Sequence, residues 1–181
     1  MSQNYLGTID TEDGVVKVLR KARGRDLYKA LDLHGQAGCA SYLISALTQV
    51  DDKPIRRDEV EELEMGVLQA VQTAISDNVV VEEVQVGKYP KQYKLTYPDD
   101  EGKADETLEI SESVKGKHTT TALKQCGGKR ELIGFYWLPT LVKVDGKSLR
   151  FDDFLDLPSA EVEAIVTLLK PKKYQFSPRT K

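Results

Sequence analysis

This sequence has little of what usually announces chemistry. Its two cysteines, Cys39 and Cys126, are too few for a disulfide framework or a zinc site, and both are expected as free thiols in a reducing cytoplasm. Its two histidines, His34 and His118, have no Cys, His or Glu partner at metal-ligand spacing and read as surface residues. The nearest approach to a phosphate loop, Gly128 to Gly134, lacks the spacing of a dinucleotide or P-loop fingerprint, and no GxSxG elbow is present. Adjacent carboxylates such as Asp51-Asp52, Asp99-Asp100-Glu101 and Asp152-Asp153 lack the alternation of a calcium loop and suit turns and helix caps. Neither charge sign dominates: the net charge is −3 and the pI about 5.5, which argues against a nucleic-acid-binding domain. No apolar run approaches the roughly 18 residues that span a bilayer. The first ten residues lack the basic and apolar regions of a signal peptide. The expectation is a non-enzymatic, cytoplasmic protein with no catalytic, cofactor-binding or metal residue to assign.

What is there is a repeat. Tyr42 to Ile75 lies over Tyr136 to Leu169 at a constant offset of 94, without a gap. Tyr42, Leu47, Val50, Asp51, Lys53, Arg56, Asp58, Leu63, Ala70 and Thr73 meet identical residues, and most other apolar positions meet apolar ones. The pattern reads as a tandem duplication of one structural unit.

Taken in order, residues 5–20 read as two short strands around an Asp-Gly hairpin turn. Leu27, Ala30 and Leu31 sit at helical spacing with Gly35 as a stop, and a second helix carries Leu43, Ile44 and Leu47. Asp58 is expected as an N-cap with Glu61 in the capping-box position. The stripe Val60, Leu63, Val67, Leu68, Val71, Ile75 predicts an amphipathic helix, split near Gly66. Val79 to Val86 has the β propensity of a strand, read as an extra one joining two small sheets. A second hairpin flanks Asp99 to Gly102, and an offset of 88 sets Tyr5, Thr8 and Gly14 on Tyr93, Thr96 and Gly102. Lys117 to Lys124 matches the first helix, and Pro139 is expected to break the next one. Pro158-Ser159 opens the last helix, with Ser159 as its N-cap.

The fold class that follows is α+β: two similar units, each a β-hairpin followed by three to four short helices, related by a pseudo-twofold. The boundaries are 1–77, 78–169 and a basic tail at 170–181. In that tail Lys170, Lys172, Lys173, Tyr174 and Phe176 are the candidate partner-binding residues. Exposed grooves beside Val60/Leu63/Val67 and Phe154/Leu157/Val162 are a second possibility, weighed against their being core.

The text VDGKSLRFDDFLDLPSAEVEAIVTLL (Val144 to Leu169), following a hairpin at YKLTYPDDEGKADETLEI, resembles the small tail assembly chaperones of contractile-tailed phages. That family closes with a Leu–Leu-Pro–acidic–apolar pattern, matched here by Leu155 to Val166. The resemblance implies a chaperone that holds tape-measure or tail-tube protein soluble before assembly and is absent from the finished virion. The alternatives are a structural baseplate or tail adaptor and a small DNA-binding regulator built on a helix-turn-helix at residues 25–48. No cofactor and no membrane partner is expected; the oligomeric state stays open.

Overall fold

The computed structural model describes residues 5–170 apart from Asp13 and Val86. It is α+β, with two antiparallel sheets and seven α-helices among the described residues. The first sheet runs β1 (Gly7–Thr11), β2 (Gly14–Val18), β3 (Thr48–Val50), β4 (Lys53–Pro54), in that spatial order. Helix α1 (Gly24–Leu47) lies between β2 and β3, and α2 (Arg57–Val60) and α3 (Met65–Ile75) follow β4. The second sheet runs β5 (Val80–Gln85), β6 (Lys91–Thr96), β7 (Glu106–Ile110), β8 (Val142–Val144), β9 (Lys147–Ser148). Helix α4 (Gly116–Gln125), a 3-10 turn (Arg130–Leu132) and α5 (Ile133–Leu141) lie between β7 and β8; α6 (Phe151–Asp156) and α7 (Ser159–Leu169) close the chain.

The matched segments therefore follow one succession of elements, and their main-chain bonds coincide. Val16 faces Val50 and Val18 faces Thr48 in one sheet; Leu108 faces Val144 and Ile110 faces Val142 in the other. Both sheets turn on an aspartate in the left-handed region, Asp51 at φ 47° and Asp145 at φ 48°. Asp tolerates that conformation better than most residues because its short side chain bonds locally. Each carboxylate then accepts a main-chain N–H from the neighbouring hairpin, Val15 to Asp51 at 3.0 Å and Thr107 to Asp145 at 2.9 Å. Each aspartate also donates its own N–H back, to Val15 O at 3.1 Å and Thr107 O at 2.8 Å.

Several expectations are corrected. The hairpins do not match at 88: the two-residue turn between β1 and β2 becomes the much longer segment 97–105 between β6 and β7, so Gly14 begins a strand while Gly102 lies in a turn. Strand β5 does not join the sheets; it is the outer edge of the second one. The cap of helix α2 falls two residues before the expected one. Arg56 is its N-cap, and Glu59, not Glu61, reaches back to accept the Arg56 N–H at 2.8 Å. Asp58 is exposed and pairs with Arg56. The split in the amphipathic stretch falls at residues 61–64, before Gly66. Pro139 does not break α5; it sits inside the last turn, where the missing N–H costs a single bond. Ser159 is the first residue of α7 rather than its cap; Pro158 caps it, and the Ser159 N–H goes to Ala22 O at 3.0 Å. The expected stop at Gly35 is present as a break within α1, with φ 62° and ψ −169°.

Two hydrophobic cores form. Val16, Val18, Ile44, Leu47, Val71 and Ile75 pack beneath the first sheet, and Leu95, Leu108, Leu138, Phe154, Val162 and Ile165 beneath the second. The division is not clean. Leu27 at the start of α1 belongs to the second core, and Leu43 touches both. Val60, Val67, Phe154 and Val162 are all buried, so the stripes that could have been open grooves are core.

The segment before α1 ties the halves together through main-chain bonds. Ala22 N–H donates to Ile75 O at 2.7 Å within the first half, while Gly24 N–H crosses to Leu157 O at 2.8 Å and Ala22 O accepts the Ser159 N–H at 3.0 Å. The close approach requires glycine at 24: a Cβ there would stand 2.5 Å from Phe154 O and 3.1 Å from Val162 Cγ2. Gly24→Ala is expected to destabilise the fold by about 1–3 kcal/mol through backbone displacement. Gly66→Ala, where a Cβ meets nothing within 4 Å, is expected to leave stability unchanged or raise it by up to about 1 kcal/mol. Urea unfolding of both variants measures the contrast.

Candidate functional site

A groove of about 970 Å³ opens between the halves. Leu31, Cys39 and Leu43 of α1 form one wall, Ile133, Phe135 and Trp137 of α5 another, and Val166 of α7 contributes a third side. These residues reach the groove for a local reason in each case. The break at Gly35 redirects α1, so that Leu31 before it and Cys39 after it line one opening. Gly134 lets α5 approach α7: a Cβ there would lie 2.6 Å from Val166 Cγ1.

An aromatic cluster fixes the wall next to it. Tyr28 of α1 meets Phe135 edge-on at 5.3 Å and Phe151 at 5.6 Å, and Tyr136 stacks on Phe151 at 5.0 Å. The Tyr28 and Tyr136 hydroxyls share a hydrogen bond of 3.0 Å. Burial, and then that bond, push the Tyr28 phenol well above its usual range. At the matched position of the first half, Tyr42 instead lies against His34 at 4.9 Å with the rings tilted by 36°, and Arg57 bonds His34 Nδ1 at 3.0 Å. The two matched tyrosines thus stand in different chemistry.

The groove is apolar within and charged at its edge, where Arg130, Glu131, Glu163 and Lys170 stand. The chain's single tryptophan, Trp137, is 9% exposed, and its Nε1 is buried without an acceptor among the described residues. Cys39 is half-buried, and burial, then the Glu163 charge, raise its thiol above the ordinary cysteine value.

Of the residues singled out in the sequence, Lys170 caps α7 and lies on the groove edge. Lys172, Lys173, Tyr174 and Phe176 lie outside the described residues. His118 is not a surface residue: its side chain is 10% exposed, and Nδ1 accepts the Lys115 N–H at 3.1 Å to cap α4. A recognition helix at 25–48 would present Ser41, Tyr42, Ser45 and Thr48; the first three are half-buried and Thr48 is buried. Among the described residues no group of three or more His, Cys, Asp or Glu side chains is placed to hold a metal ion, and no helix is long and apolar enough to cross a membrane. The groove itself had no local signal, because its walls come from residues about a hundred positions apart.

Ala40 is an exposed groove residue on a helix, so Ala40→Arg fills the opening at little cost to folding, within about 0.5 kcal/mol. The uncharged apolar dye Nile red is expected to brighten on the wild-type chain and to lose most of that signal with Ala40→Arg. Cys39 is expected to react with iodoacetamide more slowly than a free cysteine at neutral pH, and faster as pH rises, because its raised ionisation leaves less thiolate. A mass-spectrometric alkylation time course measures it. Compared with known proteins, the chain finds no counterpart: no family model, no curated protein and no solved structure matches it.

Proposed function

We propose that this chain is a non-enzymatic assembly or interaction protein that holds an apolar segment of a partner protein in the groove between α1, α5 and α7. The observation that carries the reading is the groove's make-up: an apolar interior of Leu31, Leu43, Ile133 and Phe135 with charged residues only at the edge. That arrangement suits the apolar face of a helical segment, and the charged surround keeps an empty groove from driving self-association. Most concretely, and on the resemblance at Leu155 to Val166, the partner is a phage tape-measure or tail-tube protein and the chain is its assembly chaperone in the host cytoplasm. The two halves are in this reading copies of one unit. The support is the shared ladder register at β2–β3 and β7–β8 and the paired aspartate turns, and not the sequence identities alone.

The test is co-purification from phage-producing cells with cross-linking to groove residues. The expected result is capture of the tape-measure or tube protein, with cross-links on α1 and α5, lost in Ala40→Arg. Purified particles are expected to lack the chain. Capture that persists unchanged in Ala40→Arg refutes the groove, and stoichiometric presence in finished particles assigns the chain to the baseplate or tail as an adaptor.

A further inference from the structure

Away from the groove, the N-terminus of α7 and the long β6–β7 connection meet at a buried polar cluster. Glu161 is fully buried. Its Oε2 lies 2.8 Å from the Tyr97 hydroxyl and 2.8 Å from Lys103 Nζ, while Oε1 is buried with no partner among the described residues. The same Tyr97 hydroxyl lies 2.9 Å from Glu106 Oε2, and Lys103 Nζ lies 3.5 Å from Glu106 Oε1 and 3.5 Å from the centre of the Tyr97 ring. The groups facing Glu161 are thus Tyr97 and Lys103 from the connection and Glu106 from β7. Lys21, Arg23, Asp77, Asp99 and Asp156 line the adjoining cleft of about 480 Å³ without bonding to it.

Hydrogen counting decides the state of this cluster. A tyrosine has one hydroxyl proton, yet Tyr97 touches a carboxylate oxygen on each side. With both glutamates ionised, one of those contacts is oxygen against oxygen with nothing between. The ionised Glu161 would also leave a buried, unpaired Oε1, which is costly. One added proton resolves the first problem and lessens the second, because Oε1 is then a neutral carbonyl oxygen rather than half of a buried charge. Glu161 Oε2–H donates to the Tyr97 oxygen, the Tyr97 hydroxyl donates to Glu106 Oε2, and Lys103 balances the single remaining negative charge.

We propose that Glu161 carries a proton in the folded protein at neutral pH and forms a pH-sensitive latch between α7 and the connection between β6 and β7. Loss of that proton to solvent leaves two carboxylates competing for one hydroxyl and one ammonium, and the connection lifts from α7 to open the adjoining cleft. Burial moves Glu161 in the same direction, above the ordinary glutamate range. The sign follows: the folded chain holds the proton to higher pH than the unfolded chain, so this contribution to stability is present at low pH and is lost as pH rises through the folded midpoint.

The test is a titration of the full chain, uniformly labelled with 13C and 15N, with the Glu161 carboxyl resonance assigned through bonds from its own backbone amide. The expected midpoint lies on the alkaline side of neutrality, so the resonance keeps its protonated position at pH 7, where an ordinary glutamate is fully ionised. Glu106→Gln supplies the cluster with amide hydrogens and removes the competing charge, so it is expected to lower the Glu161 midpoint by at least about one unit. Glu161→Gln is expected to flatten the fall of melting temperature with rising pH. A wild-type Glu161 fully ionised at pH 7, or a midpoint indifferent to Glu106→Gln, overturns the latch, and neither reading depends on Glu161→Gln folding.

Discussion

Two main-chain hydrogen bonds join the two halves, a third anchors the joining segment within the first half, and most of the molecule's larger features depend on them. Ala22 donates to Ile75 at the end of α3, Gly24 donates to Leu157 between α6 and α7, and Ser159 at the start of α7 donates to Ala22. Residues 22–24 thus sit between the last helix of one half and the helical corner of the other. Backbone polar groups buried in such a seam have to find partners, and here they find them across the halves. Because Gly24 carries no Cβ, α1 starts directly against the Phe154 carbonyl, and Leu27 enters the second core. Tyr28 then reaches Phe135 and Phe151, and the rest of α1 becomes a wall of the groove. The groove is a consequence of the seam.

Within each half the organising device is smaller. An aspartate in the left-handed region closes a tight turn and clamps a strand of the neighbouring hairpin by accepting one N–H and donating another. Local turn and long-range clamp use the same side chain. Few residues supply both, since the position asks for tolerance of positive φ and for a short acceptor. Asp51 and Asp145 both meet that demand.

These differences explain how much could be read in advance. The order of strands and helices was legible because it rests on periodicity: the Val60–Ile75 stripe and the β-prone run at Val79 to Val86 both formed elements near the expected bounds. Helix starts were misjudged where side-chain identity stood in for geometry. Asp58 and Ser159 are good caps by type, but Arg56 and Pro158 occupy the cap positions, because the preceding strand and the seam set where each helix begins. The offset of 88 in the hairpin rested on Tyr5, Thr8 and Gly14, and the longer β6–β7 connection removes that equivalence. It also supplies Tyr97 and Lys103 to the cluster around Glu161, which has no counterpart in a two-residue turn. Neither the groove nor that cluster was legible, since each is assembled from segments far apart in the chain and depends on a glycine contact or a buried carboxylate that no local pattern reveals.

The central claim is that the halves form one cooperative unit through the seam at residues 22–24. Native-state hydrogen exchange at the amides of Ala22, Gly24 and Ser159, followed against increasing low concentrations of denaturant, tests it most directly. The account predicts that these three amides exchange only through global unfolding, with the same protection and denaturant dependence as Leu108 and Ile165 in the second core. Exchange of the seam amides through a denaturant-independent local opening, while both cores stay protected, would contradict it.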